Sequence, residues 1–254
     1  MARKTHLDVT SVTLISTDDY LGTFEALDVK FDPTQVNAKG VYSRYQKPEI
    51  TKKKATFSIE NMLTASGTRK SALDMSVFTV GGTDYLGALQ SLDLNISTVA
   101  PDGSGVADVW EYPYAVGTEI DGSFEIQIAS AAALTALLGA NDITSPNVTI
   151  AATFAGAAFS VASQLASAGH SIKVDGIQTE RISFKPRGTP SISGNTILAL
   201  ILTGTAQTTT ANLATGAKTY SGTCLLVKSE IKIAKGQLIK DRHEFQWQGT
   251  PTLA

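Results

Sequence analysis

A chain of 254 residues with 43% hydrophobic and 17% charged positions is long enough to bury a substantial core and too apolar to be disordered. Its net charge of −2 excludes a general nucleic-acid-binding surface, and a lone cysteine, Cys224, excludes an intramolecular disulfide framework, so the fold rests on packing. No apolar run reaches the roughly 20 residues that cross a bilayer as a helix, and the opening Met1-Ala2-Arg3-Lys4-Thr5-His6 reads as no secretory signal; synthesis in a cytosol and action in solution or within an assembly are expected.

Residues 7–17 are rich in β-branched side chains and read as an opening strand. The next stretch, Asp19-Tyr20-Leu21-Gly22, begins a passage that the chain writes again as Asp84-Tyr85-Leu86-Gly87. The two copies keep one register, 65 residues apart, over 19–41 and 84–106. Within each copy Leu27-Asp28-Val29-Lys30-Phe31 and Leu92-Asp93-Leu94-Asn95-Ile96 alternate apolar and polar, the pattern of a half-buried strand. Turn-rich residues follow, Asp32-Pro33-Thr34-Gln35 in one and Ala100-Pro101-Asp102-Gly103-Ser104-Gly105 in the other. The chain then returns as Thr56-Phe57-Ser58-Ile59-Glu60 and Ser123-Phe124-Glu125-Ile126-Gln127, now 67 apart. The repeated object is a long hairpin, with units at about 12–60 and 77–128 inside one elaborated domain spanning 1–254, two small fused β domains being the alternative. The basic run Lys52-Lys53-Lys54 reads as the charged guard of an edge strand.

Residues 61–73 form a polar connection, and 75–80 open the second unit. Residues 130–139 give the best helix signal, capped by Ser130 and ended by Gly139, with Leu134, Leu137 and Leu138 on one face. The Ala/Ser-rich 159–169 read as a second short helix or as a strand. Asp175-Gly176 signals a two-residue hairpin, 182–185 alternate as a strand, and Pro186 and Pro190 end that run. Residues 196–202 are apolar on both faces, as a central strand or one covered by a partner would be, whereas the Thr/Ala/Gly-rich 205–219 read as a loop. Strands at 224–227, 230–233 and 244–249 close the chain. About a dozen strands and one or two short helices make a mainly β protein, an antiparallel sandwich or barrel.

The search for chemistry gives little. His6, His170 and His243 lie in separate segments without metal-ligand spacing, and no nucleophile elbow, Walker loop or dinucleotide fingerprint occurs. Val80-Gly81-Gly82-Thr83 reads as a turn before a strand, Asp18 with Asp19 and Asp241 with Glu244 as ordinary turn or surface carboxylates, and Cys224 as a small buried hydrophobe. Asp102-Gly103-Ser104-Gly105 carries too few ligands for a calcium loop. No catalytic residue, cofactor or metal is predicted, and no enzyme.

Residues 112–128 leading into 130–139, then Ile182-Ser183-Phe184-Lys185-Pro186-Arg187, then Lys240-Asp241-Arg242-His243-Glu244-Phe245-Gln246-Trp247-Gln248-Gly249, form a pattern that resembles the major tail tube proteins of tailed bacteriophages, a family whose fold also serves type VI secretion tubes. The likeness covers most of the chain and carries no diagnostic motif. It implies a virion protein made in the host cytoplasm that assembles into stacked hexameric rings, with trimeric rings as the alternative, around a lumen that holds a tape-measure protein and then DNA, with or without a surrounding sheath and with no membrane. Loops 32–47 and 97–115 are then the reach between subunits, and Tyr42, Tyr45, Trp110, Tyr112 and Tyr114 the candidate contacts, since aromatic side chains give much area at little entropic cost. A receptor- or carbohydrate-binding β-sandwich of a virion fibre is the competing expectation.

Overall fold

The structure, a computed structural model, describes residues 9–14, 18–19, 26–38, 47–60, 74–105, 108–128, 148–172, 178–194, 198–199, 201, 209–215 and 218–254. Its strands are β1 (Val9–Leu14), β2 (Asp18–Asp19), β3 (Leu27–Ala38), β4 (Lys47–Glu60), β5 (Val77–Val80), β6 (Thr83–Asp84), β7 (Leu89–Val99) and β8 (Gly117–Gln127). They continue as β9 (Val148–Phe154), β10 (Ala157–Ile172), β11 (Gln178–Pro186), β12 (Ser191–Ser193), β13 (Thr209–Thr215), β14 (Lys218–Ala234), β15 (Lys240–Trp247) and β16 (Thr252–Leu253). All join one antiparallel network, so the mainly β class holds. Among the described residues no helix is long and apolar enough to cross a membrane.

The network branches at β14, which pairs with β13 and β16 through its first half and with β15 and β7 through its second. A strand has only two edges. Lys228 to Lys232 lie between β7 and β15, and Gln248, just after β15, still bonds Thr223, so β15 and β16 share one edge and β13 and β7 the other. From this hub one arm runs β15-β4-β3, a second β7-β8-β11-β10-β9-β5-β6, and a short third β13-β1-β2.

The second arm folds back over itself. Phe78 of β5 meets Phe124 of β8 edge to face at 5.2 Å, although four strand steps separate them, about 19 Å in a flat sheet at the usual spacing. The enclosed space is the core, with Phe124, Phe154, Phe184, Leu92 and Ile182 buried between the layers. On the first arm Phe57 stacks on its cross-strand partner Phe245 at 4.8 Å and touches Trp247 at 4.5 Å. Among the described residues the outer strands of the network do not pair with one another, and the sheet is folded over but not closed into a barrel.

The two repeated stretches form two hairpins, β3–β4 and β7–β8. Leu27 faces Ile59 in the first and Leu92 faces Phe124 in the second, so the 65-residue offset holds on both arms. Phe57 thereby corresponds in space to Gly122, not to Phe124 as the 67-residue match implied. The two-residue difference keeps the same face toward the core, which is why the pattern match tolerated it.

Several expectations are corrected. Asp32-Pro33-Thr34-Gln35 is strand, since β3 runs on to Ala38; among the described residues β3 pairs only with β4, and an edge strand tolerates a missing N–H. Residues 159–169 belong to β10 throughout, and over 159–166 the side chains alternate in and out of the core. Leu198, Ala199 and Ile201 are helical, with Leu198 and Ile201 buried one turn apart, where a central strand was expected. Much of 205–219 is β13 and the start of β14, because threonine favours strands even without large apolar neighbours. Ile172 faces Gln178, one residue off the register that a two-residue loop at Asp175-Gly176 requires. Gly81 and Gly82, at φ 60° and 82°, do make the tight turn joining β5 to β6. The helix expected at 130–139 and the connection at 61–73 lie outside the described residues.

Gly122 lies on the core side of β8 opposite Phe184, and a Cβ there would come within 2.1 Å of the Phe184 ring. Gly122→Ala therefore forces the ring aside and is expected to cost about 1–3 kcal/mol in chemical denaturation. Gly87→Ala, where nothing lies within 4 Å, is the control and stays near wild type.

Candidate functional site

The connection between β7 and β8 gathers three of the five predicted contact residues, and it is tied down rather than free. Its residues 109–111 lie parallel to β4: the Lys53 N–H donates to the Val109 carbonyl at 2.8 Å and the Glu111 N–H to the Lys53 carbonyl at 3.0 Å. This is the edge that β15 leaves vacant, since β15 follows β4 only as far as the Gln246–Thr56 pair. The Gln246 amide donates to Glu111 at 3.1 Å, the Gln248 amide to the Pro113 carbonyl at 2.7 Å, and the Gly249 N–H to the Glu111 carbonyl at 3.0 Å. The connection acts as a strap across the notch between β4 and the end of β15.

Asp102 holds the strap closed. Its carboxylate accepts from Lys52 Nζ at 2.6 Å, from the Ser104 N–H and the Tyr112 N–H at 2.9 Å each, and from the Ser104 hydroxyl. Partial burial alone would raise its pKa, but the Lys52, Ser104 and backbone donors together outweigh that and hold the carboxyl far below its ordinary range. Tyrosine at 112 and 114 flanks buried Pro113, so the two rings point outward, 49% and 43% exposed. Trp110 is half-buried, with Lys53 Nζ 5.6 Å above its ring and Phe31 edge-on at 6.4 Å; Phe31 also lies 6.1 Å from Tyr220. Trp110 thus has an intrachain seat, Tyr112 and Tyr114 face solvent, and Tyr42 and Tyr45 lie outside the described residues.

Sequence reasoning missed a second cluster. Ser229 of β14 and His243 of β15 are register partners, with Oγ 2.9 Å from Nδ1, and His243 Nε2 lies 2.8 Å from the Asp241 carboxylate. In neutral His243 this assigns Nε2–H as donor to Asp241 and leaves Nδ1 to accept from the Ser229 hydroxyl. The order of groups is that of a nucleophilic triad, yet Ser229 and His243 are 0% and Asp241 5% exposed, and a substrate carbonyl cannot reach Ser229 Oγ. The chain of bonds instead satisfies polar groups that the core would otherwise strand.

The opposite face of β14, β7 and β8 is polar, because alternate residues of a strand point away from the core. Glu230, Asn95 and Asp121 stand in one cross-strand row and line a shallow cleft of about 350 Å³ with Asp93, Ser123 and Lys232. Arg181 pairs with Asp93 at 3.3 Å and Lys228 with Glu230 at 2.6 Å; the Lys228 contact lowers the Glu230 pKa. Among the described residues no three His, Cys, Asp or Glu side chains are grouped to hold a metal.

Because the folded state depresses the Asp102 pKa, its contribution is complete above the ordinary value of 3.8 and fades only as pH falls below it. The Asp102 carboxyl carbon resonance should therefore stay fixed from neutral pH down to that value; a midpoint at the ordinary value would refute the closed strap. Burial pushes the Cys224 thiol well above its usual range, so thiol reagents should leave it unmodified in the native protein and label it at the rate of unfolding.

No protein-family model matches the chain, and no curated protein matches it either.

Proposed function

We propose that this chain is a structural virion protein whose copies close into rings, six subunits per ring or three, and that the rings stack into the hollow tail tube through which a bacteriophage genome leaves. The observation that carries the reading is the open sheet. The two longer arms run out at β3 and at β6, the short β13-β1-β2 arm at β2, and among the described residues these ends do not pair with one another. Unlike edges satisfy each other head to tail, and a head-to-tail contact closes into a ring when its rotation divides a full turn.

The polar face fits the wall of a water-filled passage. Glu119, Asp121, Asp93, Glu230 and Glu244 lie there with Lys228, Lys232 and Arg242, and the excess of carboxylates would keep a DNA backbone from sticking as it slides. A tape-measure protein would occupy the same lumen before ejection, and a sheath would enclose the tube in a contractile tail. The exposed pair Tyr112 and Tyr114 favours a second reading, a receptor- or carbohydrate-binding module, since aromatic faces stack on sugar rings.

Negative-stain electron microscopy and mass photometry across a concentration series separate the two. Rings or tubes stable to salt are expected, with the ring mass distinguishing six subunits from three. A monomer at every concentration that retains a ligand on a glycan array would replace the tube with the binding module.

A further inference from the structure

We propose that copies of this chain stack end to end, with Tyr112 and Tyr114 of one copy entering an apolar hole at the start of β7 of the next. The proposal rests on the self-assembly reading above and names the contact between rings, whereas the open edges of β3 and β6 serve within a ring.

The knob is built by a ribbon that continues β7 and β8. The Val116 N–H donates to the Val99 carbonyl at 2.9 Å, the Tyr114 N–H to the Pro101 carbonyl at 3.2 Å and the Gly103 N–H to the Tyr112 carbonyl at 2.9 Å, around a bridge between Asp102 and Pro113. Alternate residues of such a ribbon share a face. Pro113 is buried, so Tyr112 and Tyr114 point away from the body, and Val99 and Val116 beside them along the ribbon are exposed as well. The Tyr114 ring lies over Gly103, where an added Cβ would come within 2.8 Å of it, so the ring is held in place before any partner arrives. An exposed run of apolar side chains of this kind marks an interaction site.

The hole lies at the other end of the same strand. The 11 residues of β7 set the two ends about 33 Å apart at the usual rise of a strand. The hole measures about 250 Å³ and is walled by Met75, Leu86, Leu89 and Ile233, with Gln90 and Lys235 also lining it. An apolar cavity of about 150 Å³ already admits a benzene ring, so an aromatic side chain fits. Gly87 and Gly236 line the hole too, and a Cβ at either would meet nothing within 4 Å.

A knob and a hole at opposite ends of β7 cannot satisfy each other within one subunit, because the strand holds them apart. Between copies they make a head-to-tail contact that leaves a free knob at one end and a free hole at the other, and so repeats along a filament. Edge pairing extends a sheet across its strands, whereas this contact extends the assembly along them. The two therefore operate together.

The double variant Tyr112→Ser with Tyr114→Ser removes the knob, and Gly87→Leu fills the hole. Both act where the chain meets solvent or open space, and an unchanged thermal midpoint is expected for each. Each variant should form rings at the wild-type concentration but need about tenfold more protein to form tubes in negative-stain electron microscopy. Preformed rings of the two variants, once mixed, should give pairs of rings and nothing longer, since the knobs of one fit the open holes of the other only once. Tubes of wild-type length from either variant overturn the contact and leave the ring reading standing. A serine variant that stacks normally but loses retention on a glycan array overturns it as well, and gives the two tyrosines to a sugar. Loss of the rings themselves in folded variants places the contact within a ring and overturns the stacking assignment. Wild-type protein that stays monomeric at every concentration overturns both readings.

Discussion

The fold depends on a limit that applies to any strand: it has two edges, and β14 uses both along nearly its whole length. Its 17 residues take β13 and then β7 on one side, β16 and then β15 on the other. The handover is marked by an irregularity in the β14–β15 register between Leu226 and Lys228. An extra residue there bends the strand and increases its twist. Without this single strand the β1–β2–β13 group, the β3–β4–β15 group and the long folded-over arm would share no strand pairing, and only residues 109–111 would still join the last two by backbone hydrogen bonds.

The strap follows from the same geometry. Once β15 has paired with both β14 and β4, its continuation must turn at 248–251 to reach the first half of β14 as β16. That turn takes the chain away from β4, whose edge is left bare from Lys53 outward. A buried bare edge would strand polar groups, and an exposed one would invite aggregation. The β7–β8 connection starts on the other side of β14 and is long enough to fill the notch. Residues 109–111 supply the missing bonds, and Glu111, Gln246 and Gln248 knit the two sides together. A strap at this position is therefore a consequence of where β15 ends.

Much of the fold was legible because alternation is local. Leu92-Asp93-Leu94-Asn95-Ile96 announces both a strand and its buried face, and β7 confirms each residue. What failed was context. Pro33 signals a turn unless the strand is known to be an edge, and Ala-rich residues such as 162, 166 and 168 suit a helix until the long partner β11 is known. The site was less legible still. Asp102 and Lys52 are 50 positions apart, and nothing near either predicts the other. Ser229 and His243 are brought together only by the β14–β15 register, which the sequence does not state. Trp110, Tyr112 and Tyr114 could be chosen as aromatics in a loop, but whether each faces its own chain or solvent depends on where that loop docks.

The buried Ser229–His243–Asp241 chain shows why the hub has one register. Apolar contacts alone discriminate poorly between registers two residues apart, since a slip of two returns apolar side chains to the same face. In such a slip of β15 against β14 Ser229 would face Asp241 or Phe245, and Ile231 or Val227 would be brought toward the imidazole. One or more polar groups would then be buried without a partner, at a cost of about 1–3 kcal/mol each, while the native register satisfies both imidazole nitrogens. The polar chain gives up some of the stability that an all-apolar core would provide and in return excludes the neighbouring registers. That exclusion matters most here, because the end of β15 fixes the notch in which the strap sits, and a shift of two residues would move the bare β4 edge away from Lys53.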